Sequence, residues 1–248
     1  MHDLKISVIT VSCNAQDTIE QSIRSVISQD YRNIEYIIID GNSADGTVSI
    51  AKKYRENIHV LLSEPDKGIY DAMNKGIALA TGDVVGILNA DDFFKDEYVL
   101  TVVAQAFENN KPDIVYGDLN YIKSDGSISR KWVSGEYKKG MFNYGWMPPH
   151  PTFYCKRELF KKFGGYGLEY GTAADYELML RYIHRNLLSV YYVKQVLVEM
   201  SVGGVSNRSI KNRIRSLFFD MKAMYKNKIF FPPITLILKP LRKLRQFF

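Results

Sequence analysis

Two adjacent carboxylates, Asp91 and Asp92, follow the apolar run Val84–Leu88 and the pair Asn89-Ala90. Neighbouring acids at the end of a hydrophobic strand suit a hard divalent cation, which takes oxygen ligands and shares them with phosphates and water. Capping of a following helix, expected over residues 95–108, would use the same residues. Two other apolar runs also end in small or acidic residues, Val11-Ser12-Cys13-Asn14 and Asp40-Gly41-Asn42-Ser43. The segment Asp66-Lys67-Gly68-Ile69-Tyr70-Asp71-Ala72-Met73-Asn74-Lys75-Gly76 opens a helix with polar residues on its first turns. Lys67 or Lys75 could neutralise a phosphate there, although an exposed basic helix face is the commoner reading of such residues. Asp175, in Thr172-Ala173-Ala174-Asp175-Tyr176-Glu177, sits at a helix start, where the helix dipole favours an ionised carboxylate. Such a group is either a proton acceptor or an ordinary N-terminal helix acid.

Other chemistries are poorly served. GxGxxG is absent, as is GxxxxGK followed by Ser or Thr, so the two best-marked nucleotide fingerprints are missing. His2, His59, His150 and His184 are too scattered for a zinc site. Cys13 and Cys155 have no ligand spacing and form no disulfide framework, and they fit a reducing cytoplasm. Cys13 is assigned no catalytic role.

The elements that must position these residues alternate. Strands are expected at Leu4–Val11, Ile34–Ile39, His59–Leu62 and Val84–Leu88. Helices come between them: one capped by Asp17-Thr18-Ile19-Glu20, one over Thr47–Asn57, and one over Ile69–Ala80. This spacing is that of βαβ units with right-handed crossovers, so the fold class is α/β around a mainly parallel sheet. Open sheets of this kind bind ligands beyond the carboxyl ends of their strands, which brings these three small or acidic strand ends together. Strands at Asp113–Ile122 and Ser127–Val133 begin a mixed, partly antiparallel extension. Residues 137–151, rich in Gly, Pro and aromatics, read as a loop over a site, where Tyr144 and Trp146 could stack on a ligand or pack the loop. Helices at Lys156–Phe163 and Ala174–His184 and a strand at Val190–Met200 follow, with Gly164-Gly165-Tyr166 either a flexible loop or a helix end.

The chain has 248 residues, 46% hydrophobic and 24% charged, with a net charge of +6. Global disorder is excluded. The first residues lack a signal peptide's basic n-region, and no apolar stretch approaches the roughly 20 residues of a spanning helix. The charge is unevenly placed. From Ser201 to Phe248 eleven Lys and Arg face Asp220 alone, leaving 22 bases and 26 acids in residues 1–200. A polyanionic partner would therefore meet the tail, whose amphipathic helix spans roughly Ser209–Lys226 and whose end mixes Phe, Leu and Ile with Lys and Arg. Pro232-Pro233 and Pro240 should break that end into pieces. A membrane surface or an oligomer contact suits it, and the acidic body argues against nucleic acid.

Four motifs in order, IIIDGNSADGT, SEPDKGIYDAMNKGIALATGD, LNADDFF and MSVGGVSN, resemble family 2 glycosyltransferases of the GT-A fold. The similarity is greatest to bacterial enzymes of colanic acid and other surface-polysaccharide assembly, over residues 4–207. It implies a glycosyltransferase domain over 1–207, with a nucleotide-sugar half over 1–95, an acceptor half over 96–207 and a basic appendage over 208–248. It also implies that Thr10, Val11 and Ser12 contact a nucleobase through the backbone and that Asp40 accepts from its ring N–H. Asp91 would lie near the ribose and Asp92 would ligate Mg²⁺ or Mn²⁺ on the diphosphate, although Asn89-Ala90-Asp91-Asp92 lacks a literal DxD. Asp66, Lys67 and Asn74 would border the diphosphate and sugar, and His150 would touch the diphosphate or the acceptor. Asp175 would be the general base of an inverting transfer, with Glu177 the alternative. The donor would be a UDP-linked sugar and the acceptor a lipid-linked or growing glycan, reached by a cytoplasmic protein peripheral to the membrane.

Two other classes stay open at the level of sequence. A sugar nucleotidyltransferase shares the α/β core and paired acids, but this chain has no Gly-rich basic loop after its first strand. A non-enzymatic, basic-tailed membrane or polyanion binder would need the tail alone.

Overall fold

The computed structural model describes residues 4–202, 210–244 and 246. Val, Ile and Thr dominate β1 (Ile6–Ser12), β2 (Ile34–Asp40) and β4 (Val84–Asn89), and branched side chains favour extended backbone. These strands pair in parallel, with β3 (Val60–Ser63) outside β2. Both faces are covered, so the strands read as continuous apolar runs rather than alternating ones. Val8, Ile38 and Leu88 enter one core, while Ile9, Ile37 and Ile39 enter the other. Helix α1 (Ile19–Ile27) buries Ile19, Ile23 and Val26 in the first core. Its N-cap Thr18 makes no side-chain capping bond, contrary to the capping expected there. Helix α2 is Thr47–Lys53. Helix α3 (Ile69–Leu79) packs Met73 into the second core. Gly76 permits this closeness, because a Cβ there would stand 2.4 Å from Ile9 Cγ2.

Beyond β4 the sheet turns mixed. The short β5 (Asp92–Phe94) and helix α4 (Val99–Asn110) come next. They are followed by β6 (Ile114–Ile122), β7 (Ile128–Trp132) and β8 (Tyr154–Lys156). Strand β8 runs antiparallel between β4 and β6, and β9 (Val190–Ser201) pairs with β6 and β5. Sequence periodicity gives neither β5 nor β8, since three residues are too few to show an alternation. The helix expected from residue 95 begins at Val99, because Asp92–Phe94 pair with Val198–Met200 instead.

Helices α5 (Arg157–Phe163) and α6 (Ala174–Met179) follow β8, and α6 continues into a π turn at Leu180–Arg185. Helices α7 (Ile210–Lys226) and α8 (Pro232–Leu244) form the C-terminal segment. Ala223, Met224 and Ile229 are buried in the same core as Ile9 and Trp146, so the segment expected as an appendage packs into the body. The prolines do not fragment α8: Pro232 and Pro233 occupy its first turn, where amide donors have no helical partner, and Pro240 is carried inside it. Residues 203–207 of the fourth motif lie outside the described residues.

Glu35 ties the amino ends of these strands. Burial acts to raise its carboxyl, but Ser7 Oγ at 2.6 Å, the Thr81 amide at 2.7 Å and Lys5 Nζ at 3.1 Å donate to it and bring it down to about 2. A depressed carboxyl contributes stability above its unfolded value, near 4.3, and loses it as pH falls through about 2. Glu35→Gln should therefore cost roughly 2–3 kcal/mol in urea unfolding at pH 7 and almost nothing near pH 2. A deficit that persists unchanged in acid would show that shape, not charge, is lost.

Candidate active site

Parallel register levels the strand ends. Ser12 pairs with Asp40, Val11 with Asn89, and Asp40 with Ser63. Asp40, 1% exposed, fills its acceptor sites: Ser12 Oγ at 3.0 Å and Ser43 Oγ at 2.5 Å bind one oxygen, and the Ser43 amide at 2.9 Å and Ser63 Oγ at 2.7 Å bind the other. A carboxylate offers about four such sites, so Asp40 braces the turn in this geometry and has none left for a base N–H.

Thr10 and Val11 are enclosed in the central strand, with Thr10 Oγ1 against Tyr36 Oη at 3.1 Å. The Val11 and Ser12 carbonyls already accept from the amides of Ala90 and Gly41. Open surface begins at Cys13 and Asn14. Asp66 leans over this edge, its side chain against Gly41, and accepts from the Gly68 amide at 2.7 Å. Lys67 is exposed beside it. Burial raises the Cys13 thiol, and Asp66, Asp40 and Asp45 raise it further, which leaves it a poor nucleophile.

The acidic pair divides in an unexpected way. Asp92 has no exposed surface and accepts from Asn89 Nδ2 at 3.0 Å. Burial, then the neighbouring Asp91, lifts its carboxyl well above the usual range. Asp91 is only half-buried, and burial raises it as well. Asp92 Oδ1 and Asn89 Oδ1 are buried without a partner. Oxygen acceptors left unsatisfied beneath a half-exposed carboxylate fit a hard cation. Among the described residues no three His, Cys, Asp or Glu side chains gather as a complete metal cage, so phosphate oxygens would have to complete it.

A second cluster surrounds Asp175. Its Oδ1 accepts from the Tyr176 amide at 2.7 Å at the start of α6. Tyr70, on the first turn of α3, faces it: burial, then Asp175, raises the phenol well above its ordinary value. Tyr70 stacks near Tyr166, with ring centroids 5.4 Å apart. Tyr166 Oη and His150 Nε2 share a hydrogen bond of 2.6 Å. Burial lowers the His150 imidazole although Asp175 opposes this, so the ring is neutral near pH 7. Tyr70 therefore joins the helix start that carries Asp66 to the carboxylate at Asp175. Sequence alone gives Tyr70 no role of its own and reads Tyr166 only as part of the Gly164-Gly165-Tyr166 loop; the one signal for Tyr70 is its place between Lys67 and Asn74.

Asn74 is a latch. Its Nδ2 donates to the Tyr166 carbonyl at 2.9 Å, and its Oδ1 accepts from the Tyr166 amide at 2.8 Å. Gly164-Gly165 is held as well, since Arg181 donates to the carbonyls of Phe163, Gly164 and Gly165 and pairs with Glu177. Glu177 is thus occupied by a buried ion pair, away from the role of alternative base. Trp146 is buried and donates to the Ser134 carbonyl at 2.9 Å, while Tyr144 stays exposed.

Comparisons with known proteins give the family and the fold. The family model "Glycosyl transferase family 2" matches residues 7–168. An uncharacterized glycosyltransferase of Mycobacterium tuberculosis is 35% identical over 230 residues, 88% of this chain and 82% of its own. A putative teichuronic acid biosynthesis glycosyltransferase of Bacillus subtilis is 41% identical over 95 residues, 37% of this chain and 38% of its own. The fold matches S. aureus TarS 1–349 in complex with UDP-GlcNAc, with TM-score 0.68 and 17% identity over 89% of this chain and 67% of that one. It also matches a mannosyltransferase of Pyrobaculum calidifontis in complex with GDP-Man and Mn²⁺, with TM-score 0.68 and 19% identity over 97% and 73%.

Asn74→Ala should remove both latch bonds and lower stability by about 1–3 kcal/mol. Faster tryptic cutting at Lys161 and Lys162 is the accompanying sign that the 164–167 loop is released. An unchanged unfolding midpoint and digestion rate would show that the latch is idle.

Proposed function

The chain belongs to glycosyl transferase family 2, and from that premise we propose that it moves a sugar from a nucleotide-diphosphate donor, UDP-linked, onto a hydroxyl of a lipid-linked or growing bacterial surface glycan. Family membership sets aside the nucleotidyltransferase and the non-enzymatic binder. One observation supports the reading most directly: Tyr70 links the acidic mouth at the strand ends to Asp175, so a donor in that mouth lies beside a carboxylate. The UDP-GlcNAc complex of TarS and the GDP-Man complex of the mannosyltransferase support a nucleotide sugar and disagree on the base.

The nucleobase is assigned to the Ser12–Asn14 edge and the Gly41 turn, with Asp40 bracing that turn from behind. Asp66 and Lys67 border the diphosphate, and Asn74 keeps the acceptor loop against α3. Metal facing passes from Asp92 to Asp91, because Asp92 is enclosed. A bound Mg²⁺ or Mn²⁺ would supply countercharge to the departing diphosphate. Asp175 takes the proton from the acceptor hydroxyl, whose oxygen bonds to the anomeric carbon opposite the leaving group. The bond from that carbon to the phosphate oxygen breaks, and its electron pair leaves with the diphosphate. The Tyr70 phenol stays protonated and orients the Asp175 carboxylate; neutral His150 and Tyr166 close the cleft on the other side.

Peripheral attachment at the cytoplasmic face of the membrane belongs to this proposal. Among the described residues no helix is long and apolar enough to cross a bilayer. Ile234, Ile237 and Leu241 form one exposed stripe on α8, and Phe230 is 91% exposed just before it. Lysines and arginines flank the stripe, as they do in helices that lie in an anionic interface.

Calorimetric titration with UDP or GDP should show binding that needs Mn²⁺ and disappears with EDTA. Asp91→Asn should weaken it at least tenfold. Asp175→Asn should keep nucleotide affinity within twofold and cut sugar transfer by about 10²–10⁴. Transfer that survives Asp175→Asn removes it as the base, and absence of any nucleotide binding removes the donor site. Separately, the triple change Phe230→Ser, Ile237→Ser and Leu241→Ser should reduce pelleting with phosphatidylglycerol vesicles severalfold without lowering the melting midpoint. Equal pelleting would end the membrane assignment.

A further inference from the structure

The residue after the proposed base is held from two directions. The Tyr176 amide donates to Asp175 Oδ1 at 2.7 Å, so the placement of Tyr176 bears on the direction of the carboxylate. The Tyr176 ring is 1% exposed and carries the Lys239 ammonium 3.7 Å from its centre. A cation over a ring face is drawn to it electrostatically, and more strongly away from water. Asp220 aims that cation: its carboxylate lies 2.8 Å from the ammonium, and both side chains are mostly buried. Asp175, Tyr176, Asp220 and Lys239 together line one cleft of about 340 Å³.

The two charged partners come from outside the span 7–168 that the family model matches. Asp220 is on α7 and Lys239 on α8, and both helices are fixed against the body. On α8, Gly145 admits the backbone of Lys239, because a Cβ there would stand 2.6 Å from Lys239 N and Cα. Asn143, on the same loop, accepts from Thr235 Oγ1 through its carbonyl at 2.6 Å and from the Phe230 amide through Oδ1 at 2.8 Å. On α7, the Phe219 ring closes on Gly171 and leaves no room for a Cβ, and Lys222 Nζ donates to the Glu169 carbonyl at 3.0 Å. Asn227 Nδ2 donates to Glu177 Oε1 at 3.2 Å. Helix α7 thus grips the chain both before and after Asp175. An enclosed ion pair adds little net stability, since desolvation offsets its attraction, and apolar residues of the same size would pack as well. What these charges add is direction, because the ammonium is held at once by a carboxylate and a ring face.

We propose that Lys239 is a positioning residue for the transfer: paired with Asp220, it holds the Tyr176 ring and so keeps the Asp175 carboxylate in one orientation. The inference rests on the reading of Asp175 as the base, and adds that the C-terminal helices complete the geometry of that base.

The full chain, isotope-labelled at its aspartate carboxyl carbons, gives a magnetic-resonance readout without substrate, in which the Asp175 signal is the one missing from Asp175→Asn. Asp220→Asn with Lys239→Met removes both charges at once, so no buried ion is left alone and the melting midpoint should hold. In that variant the Asp175 signal should move or split, as the carboxylate takes more than one orientation. Lys239→Gln, with most of the stem kept and the charge lost, should do the same. Lys239→Arg, which keeps the charge and stacks on aromatic faces, should retain the parent signal. Lys194→Met, which breaks the exposed pair of Lys194 with Glu136, should leave it in place. Release of UDP from UDP-glucose, UDP-galactose and UDP-GlcNAc into water, with Mn²⁺, then reads the chemistry. The double variant should lose about 10–100-fold in kcat while the donor KM stays within twofold, and Lys239→Arg should recover most of that loss. An Asp175 signal unmoved by loss of the charge, or one that moves with kcat intact, overturns the proposal. Where none of the three donors is turned over, the carboxyl signal alone decides the role of Lys239, and calorimetry with UDP and GDP decides the donor site, so the two readings fail separately.

Discussion

The buried carboxylate of Asp40 is the point on which the mouth of the site depends. An ionised group taken out of water costs several kcal/mol unless its acceptor sites are filled. Here four donors fill them, and they come from β1, from β3 and twice from the turn after β2. Each donor is held where the carboxylate needs it, so three strand ends and one turn share a single geometry. The level register of β1, β2 and β4 then carries that geometry across to Asn89 and Asp91. Open surface consequently begins one or two residues beyond β1, at Cys13 and Asn14.

A second constraint joins the two halves. The pair of bonds between Asn74 and the Tyr166 backbone ties α3 to the 164–167 loop, and Arg181 holds the three preceding carbonyls. Glu177, which pairs with Arg181, also accepts from Asn227 Nδ2 at 3.2 Å, so the end of α7 is drawn into the same network. Asp175 is therefore positioned by contacts that run from the first helices to the last. A buried pair like Arg181–Glu177 adds little net stability by itself, but leaving either member alone is costly, and this favours one arrangement of the loop.

Much of this was legible in the sequence, for physical reasons that also mark where legibility stopped. Strands β1, β2 and β4 announce themselves because burial on both faces demands unbroken runs of Ile and Val. The convergence of their acidic ends follows from parallel topology. Which member of Asp91-Asp92 faces outward is a different matter. It depends on β5 pairing with Val198–Met200, a contact more than a hundred residues away that no local pattern encodes. Thr10 and Val11 were expected at the base, and the same burial that makes β1 recognisable encloses them. The appended tail was read from charge, while its attachment comes from Ala223, Met224 and Ile229, three apolar residues scattered among the lysines.

That scatter explains how one segment serves several surfaces. A helix turns by 100° per residue, so residues three, four and seven apart share a face. On α8, Thr235 and Leu236 face inward, and Thr235 Oγ1 donates to the Asn143 carbonyl at 2.6 Å. Ile234, Ile237 and Leu241 face solvent, and Lys239 turns to Asp220 and the Tyr176 ring. Pro232 and Pro233 set the direction of the first turn without spending a hydrogen bond that the helix would otherwise make. Fixing α8 through its inward face fixes its apolar stripe and Lys239 relative to α6. Tyr176 directly follows Asp175, so the ion pair between α7 and α8 bears on the same short stretch of α6 that carries the carboxylate.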